Sequence, residues 1–213
     1  MNINETVLIA NPETVHATGV HPAMLSADQV AVHVLNVSGP GLLTRNELRS
    51  TVRPQREMII KRYAATDIGV MNSIAYGQNV AVLAVRFRHP VGIDIEPLSF
   101  APRADIAETF FASHEQALLL GYPKGPARED AFRHLWTLKE AALKCAGGTV
   151  PSNLGDVWAQ TAPPTSLPSK IPLGWSERFL KAHDALKKDV PQSALLFRPC
   201  ANHIAAVAFT NDA

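Results

Sequence analysis

The chain is predicted to fold as an α/β protein of the α+β kind, with mostly antiparallel strand pairing. Three observations predict this. Residues 29–37 carry apolar side chains on alternate positions until Ser38-Gly39-Pro40-Gly41 stops them, the pattern of a strand followed by a turn. Residues 80–87 are almost continuously apolar, as in a strand buried on both faces. Segments with apolar residues at helical spacing, ended by glycines, fall between and after these, so strands and helices alternate in clusters.

Composition narrows the function classes. The 213 residues (23.1 kDa, 46% apolar, 18% charged) suffice for one large domain or two small ones around a shared core. Lys plus Arg is 20 against 19 for Asp plus Glu, a formal net charge of +1. Near-neutrality argues against a protein held to nucleic acid or anionic lipid by bulk charge, and leaves room for a local basic patch. The longest apolar runs, at 80–85 and 204–209, are too short to cross a bilayer, so no membrane span is expected. No basic residue precedes the apolar patch at 7–10, so no secretory signal is expected. Cys145 and Cys200 are too few for a disulfide framework or a zinc site. A cytoplasmic, disulfide-free protein is the expectation.

The elements follow in order. Thr44 is placed to cap a helix, with Glu47 completing a capping box, and the helix should run to about Ala65 with a kink or break at Pro54. Arg49, Arg53, Arg56, Lys61 and Arg62 along it read as a solvated face. Residues 80–87 and 91–97, joined by Arg88-His89-Pro90, read as a hairpin. Ser113, with Gln116 three residues on, should cap a helix that ends at Gly121. A longer helix is expected over 129–145, stopped by Gly147-Gly148. Residues 156–158 suggest a strand, and 162–174, with four prolines, an irregular loop. Phe179, Leu180 and His183 predict a helix over 176–188, and strands at 194–197 and 203–210 close the chain.

The chemistry concentrates in two places. Asp94 and Glu96 are two apart on a strand, so both carboxylates leave one face while Ile93 and Ile95 enter the core. Adjacent carboxylates repel unless a cation sits between them, and oxygen-only ligands favour magnesium or manganese. An acid pair at a strand end can equally be a solvated feature. On the 129–145 helix, Trp136, Glu140 and Lys144 share a face at four-residue steps, with Lys139 beside them. The plain reading is a surface Glu140–Lys144 pair, contributing about 0.3–0.5 kcal/mol, beside a core Trp. The sharper reading brings a third carboxylate and two lysines to Asp94 and Glu96. Such a site suits phosphoryl or pyrophosphoryl chemistry, where charge on oxygen must be neutralised.

Val91-Gly92-Ile93-Asp94-Ile95-Glu96, Phe110-Phe111-Ala112-Ser113-His114-Glu115 and Trp136-Thr137-Leu138-Lys139-Glu140-Ala141-Ala142-Leu143-Lys144 follow in an order and spacing that resembles the Sfp-type 4′-phosphopantetheinyl transferases. The resemblance covers 91–144 and extends to the last strand. It implies two α/β halves related by pseudo-twofold symmetry, here 1–97, with a shortened coenzyme-binding side, and 98–213, packed as one unit with the active site in the cleft between them. It implies transfer of the phosphopantetheine arm of coenzyme A to a serine of an acyl or peptidyl carrier protein. Asp94, Glu96 and Glu140 would hold Mg2+, and Glu140 would help deprotonate the serine. Lys144 would neutralise the leaving phosphate, with Lys139, Lys144 and Arg62 contacting the coenzyme's phosphates. A monomer can complete such a site. The family's Asn-x-Ser-His-Ser segment, whose His binds the nucleotide 3′-phosphate, reads Asn72-Ser73-Ile74-Ala75-Tyr76 here, and the family's Gly-Lys-Pro segment is absent. Ala75 offers neither charge nor a hydrogen bond. The alternative is therefore a divergent member that docks on carrier proteins, or acts on another substrate, without the standard transfer.

Overall fold

Val30, Val32 and Val34 leave one face of their strand and Ala31 and Leu35 the other, and all five are fully buried. A sheet covered on both faces follows. The computed structural model describes residues 1–10, 15–17, 25–26, 29–66, 69–100, 104–148, 154, 157–159, 175–177, 179–181 and 193–210, with backbone alone at 15–17, 104, 157–159, 175–177, 179–181 and 193. Strands β1 (Asn2–Ala10), β2 (Val15–Ala17), β3 (Val30–Ser38), β4 (Val70–Tyr76) and β5 (Val80–Phe87) form one antiparallel sheet in the order β2-β1-β3-β5-β4. A second comprises β6 (Val91–Pro97), β8 (Trp175–Glu177), β10 (Ser193–Cys200) and β11 (His203–Phe209), ordered β6-β11-β10-β8. Strands β7 (Val157–Ala159) and β9 (Phe179–Lys181) pair with each other. The helices are α1 (Arg45–Ala64), α2 (Ala104–Phe110), α3 (Ser113–Gly121) and α4 (Pro126–Ala146).

Three hydrophobic clusters order these elements into layers. Leu48, Val52, Ile59 and Tyr63 of α1 pack on Ala31, Leu35, Leu83 and Val85 of the first sheet. That sheet's opposite face, with Val32, Val34, Val82 and Ala84, meets Ile93, Ile95, Phe197, Val207 and Phe209 of the second. The second sheet's far face, with Leu196, Ile204, Ala206 and Ala208, lies under Leu135, Leu138, Ala142 and Leu143 of α4. The order is helix, sheet, sheet, helix, a mixed α/β architecture with two antiparallel sheets. Burying both faces of each sheet removes apolar surface worth about 25 cal/mol per Å² from water, and explains the uninterrupted apolar runs.

Several expectations hold at the level of single residues. Thr44 Oγ1 accepts the Glu47 N–H at 3.3 Å while Glu47 Oε2 accepts the Thr44 N–H at 2.8 Å, the expected capping box. Gly147, at φ 70°, ends α4 in the left-handed conformation. Others are corrected. Helix α1 runs unbroken through Pro54. Pro54 and Ser50 are both exposed, so the carbonyl left without its donor faces water. Helix α3 is capped at Ala112, one residue before Ser113, and Glu115 takes the Ala112 N–H at 3.0 Å. Residues 176–177 and 179–181 lie in strands β8 and β9 where a helix was expected, because the open edge of β10 pairs with β8 and β7 pairs with β9, and 178 and 182–188 lie outside the described residues. The loop at 162–174 lies outside the described residues.

The largest correction concerns the hairpin at 80–97. Strands β5 and β6 are consecutive but belong to different sheets, β5 pairing with β3 and β4 and β6 with β11. Arg88, at φ 63°, turns the chain from one sheet to the other. The sheets meet again along a seam. Ser73 Oγ of β4 accepts the Ile93 N–H of β6 at 3.2 Å, and buried Arg86 of β5 donates through Nη1 to the Thr210 carbonyl at 2.6 Å.

Helix α4 seats on β6 at Gly92. A β-carbon there would lie 2.0 Å from the Ala141 carbonyl oxygen and 2.4 Å from the Cys145 nitrogen, both backbone atoms. Only glycine permits that approach. Substitution G92A is therefore expected to destabilise the fold by the upper end of the about 1–3 kcal/mol typical of overpacking, or more, measured by urea denaturation.

Candidate active site

The face of β6 that carries Gly92 also carries Asp94 and Glu96, as the two-residue period requires, and it lies beneath α4. Trp136 Nε1 donates to Glu96 Oε1 at 2.9 Å, Lys144 Nζ donates to Asp94 Oδ1 at 2.5 Å, and Lys144 Nζ lies 3.7 Å from Glu140 Oε2. The structure thus brings Asp94, Glu96, Glu140 and Lys144 together, and gives Trp136 a polar task besides packing.

The electrostatics are unbalanced. Burial raises Asp94, against the opposing pull of Lys144. Burial, reinforced by the Asp94 charge, pushes Glu96 up to about 7 and Glu140 up to about 8. Three carboxyls share one ammonium, and Asp94 Oδ2 is buried without a hydrogen-bond partner among the described residues. All the donors are hard oxygens, and the orphaned Oδ2 is where a hard cation would gain most. In the described residues no three acidic, His or Cys groups are drawn close enough to hold an ion as they stand, and the Lys144 ammonium takes the cationic place between Asp94 and Glu140. The donor chemistry fits a divalent ion.

Lys144 also lines a groove of about 590 Å³, together with Arg45, Arg49, Arg53, Arg56, Glu57, Ile74 and Tyr76. The four arginines sit at i, i+4, i+8 and i+11 of α1, hence on one face, and extend about 16 Å along it. Arg49 lies over the Tyr76 ring at 5.3 Å, and Arg56 Nη2 donates to Asn72 Oδ1 at 3.2 Å. Arg56 Nε is the second buried polar atom without a partner among the described residues, and it is a donor. The Arg45 charge reaches Glu96, so the groove's first turn adjoins the acids. One site therefore presents a row of guanidinium groups to an anion and a cluster of carboxylates to a cation, with Lys144 in both.

Two of the residues expected to contact a coenzyme lie elsewhere. Lys139 is fully buried, donates to the equally buried Glu115 at 2.5 Å and sits 4.9 Å from the Phe111 ring centre. Burial pushes its ammonium down and Glu115 opposes the shift. Lys139 ties α4 to α3 here and reaches no cleft. Arg62 is exposed in the last turn of α1, where its guanidinium meets Met58 Sδ at 3.5 Å, and it does not line the groove. Seventeen residues after Arg45 at 100° each place it on another side of the helix. The arginine row is what reading for a solvated face overlooked, and its four-residue spacing was the available signal.

Residues 90–190 match the model of the 4′-phosphopantetheinyl transferase superfamily. The match covers just under half of the chain, and over that span the sequence is similar to this superfamily. The 4′-phosphopantetheinyl transferase HetI of Nostoc sp. is 31% identical over 140 residues, 52% of this chain and 56% of that protein. A 4′-phosphopantetheinyl transferase of Bacillus pumilus is 41% identical over 71 residues, 33% of this chain and 30% of that protein, and one of Bacillus subtilis is 32% identical over 97 residues, 45% and 42%. The chain thus spans about half, or less, of the curated relatives it matches. The superfamily match contains β6 and α4, the two elements that supply the acids.

Two outcomes follow from the electrostatics. With Glu140 near 8 in the folded chain against an ordinary 4.5, folding loses stability as pH rises between these values. E140Q removes that cost, so without divalent ions it should raise the unfolding free energy by about 1–3 kcal/mol at pH 9 and by little at pH 5. K139M removes the cation that faces buried Glu115, which keeps the Ala112 N–H, and should cost about 3–5 kcal/mol in thermal or urea unfolding.

Proposed function

We propose that the chain transfers the 4′-phosphopantetheine arm of coenzyme A to a serine of an acyl or peptidyl carrier protein. The observation that carries this reading is the adjacency of the arginine groove, which precedes the span similar to the superfamily, to the acid cluster and Lys144, which lie inside it. The first sheet with α1 is the coenzyme side, and the second sheet with α4 supplies the reacting groups. A single chain holds both, so the proposed enzyme acts as a monomer.

Coenzyme A carries a nucleotide 3′-phosphate and a pyrophosphate, and the arginine row offers charge-assisted hydrogen bonds along a comparable length. Arg56 Nε, lacking a partner in the described fold, gains one from a phosphate oxygen. The Ala75 position does not weaken this reading. Ala75 is buried in the layer between the sheets, while Ile74 and Tyr76 on the other face of β4 line the groove.

In the reaction, the serine oxygen bonds to the phosphorus that bears the pantetheine arm, and the bond from that phosphorus to the oxygen of adenosine 3′,5′-bisphosphate breaks. Glu140 takes the serine proton, directly or through water, and Lys144 neutralises charge on the departing phosphate. Asp94, Glu96 and Glu140 would hold a divalent ion such as Mg2+, which would supply charge neutralisation for the pyrophosphate.

Intact-mass analysis of apo carrier proteins incubated with this chain, coenzyme A and Mg2+ tests the proposal. One added phosphopantetheine per carrier is expected, with none for E140Q. A folded, metal-loaded chain that modifies no carrier in a broad panel would overturn the reading. R56A should weaken coenzyme A binding about 10–100-fold by calorimetry, the loss of one charge-assisted contact.

A further inference from the structure

His203, at the start of β11, is almost fully buried and stands across the seam from the β4–β5 turn at 77–79. Its Nε2 lies 3.1 Å from the Gln78 backbone nitrogen, whose N–H donates to it. A β-carbon at Gly77 would lie 2.8 Å from Cδ2 and Nε2 of the same ring, so the turn packs directly against the imidazole. Because Nε2 must accept, the ring proton sits on Nδ1, which lies 3.2 Å from Cys200 Sγ. An imidazolium would set two N–H groups against each other, and burial lowers this ring's affinity for a second proton. His203 is thus a neutral acceptor held in one tautomer, unsuited to acid–base work.

The turn it holds reaches the arginine helix. Asn79, in the left-handed region at φ 54°, accepts the Leu43 N–H on Oδ1 at 2.8 Å and donates through Nδ2 to the Gly41 carbonyl at 2.8 Å. Its carbonyl accepts the Val37 N–H at 2.8 Å. Leu43 precedes the Thr44 cap and Arg45, while Tyr76, on the turn's other flank, carries Arg49 on its ring. A continuous set of contacts therefore runs from the β10–β11 hairpin of the second sheet, through the 77–79 turn, to the first turn of α1.

We propose that His203 is a positioning residue for coenzyme binding, holding the 77–79 turn so that Tyr76 and the start of α1 keep Arg45 and Arg49 turned into the groove. The proposal rests on the reading of the groove as the coenzyme seat. His203 touches neither the groove nor the acid cluster, so removing its acceptor should weaken coenzyme binding and leave the reacting groups in place.

The test measures KM for coenzyme A, kcat, and coenzyme A affinity by calorimetry for the wild type, H203L and H203Q. H203L should raise KM and Kd about 10–100-fold with kcat at saturation within about threefold. H203Q, whose side-chain oxygen can reach the Gln78 N–H, should recover most of the loss. In a double-mutant cycle, H203L and R45A together should cost less than the product of their separate effects. If H203L fails to fold, N79A reads the same coupling from the other end of the turn, with the same KM change expected. A wild type that binds coenzyme A while the folded variants bind it equally well overturns the positioning role alone. A wild type that binds none overturns the groove reading, and this proposal with it.

Discussion

The close approach of α4 to β6 at Gly92 is the constraint on which the site depends. Helix and sheet ordinarily stay apart by the thickness of their side chains, and here one strand position has none. The backbone of Ala141 and Cys145 occupies the space a β-carbon would fill. Ala141 and Cys145 directly follow Glu140 and Lys144 on the helix, and Gly92 lies two residues before Asp94 on the strand, so the contact fixes the distance across which these groups interact. With a side chain at position 92, Lys144 could not reach Asp94 at 2.5 Å while Trp136 reached Glu96 at 2.9 Å. The glycine and the acids of this segment therefore form one device. Glycine brings the helix down and the alternating acids meet it.

Folding against that constraint carries an electrostatic cost. Three carboxyls are gathered under a helix with one ammonium nearby, and all three have raised proton affinity. Elsewhere in the same helix a single acid meets a single base, and the Glu115–Lys139 pair is satisfied at zero exposure. The contrast separates two uses of the same residue types. A balanced pair joins α3 to α4, while the contact of α4 with β6 gathers an excess of acid.

The legible part of this architecture was what depends on period and cap. The shared face of Asp94 and Glu96, the Thr44–Glu47 box and the glycine stop after α4 are local properties, and the structure has each of them. Partner choice was not legible. A strand buried on both faces reads the same whether its neighbour is the next strand or one a hundred residues on, which is why 80–97 resembled a hairpin although β6 pairs with β11. Strand β1 escaped notice because Asn2, Asn4 and Thr6 leave its first half exposed. For Lys139 and the arginines, charge type alone does not tell whether a side chain meets solvent, a buried partner or a cleft. Lys139 stood in the motif and proved internal. Arg45 was passed over, and it faces the groove.

The groove and the acids come from different sheets, so their relative placement rests on contacts outside the recognisable motifs. Arg86 reaches across to the Thr210 carbonyl, Ser73 supplies the acceptor that β6 lacks at its edge, and His203 meets the turn after Tyr76. Each is a polar group of one sheet satisfied by the other, and each loses its partner if the sheets slide. Apolar packing between the sheets resists separation but tolerates small translations, since it has little directionality. The directional bonds at the seam supply what that packing lacks, holding Lys144 at the junction of the arginine row and the acid cluster.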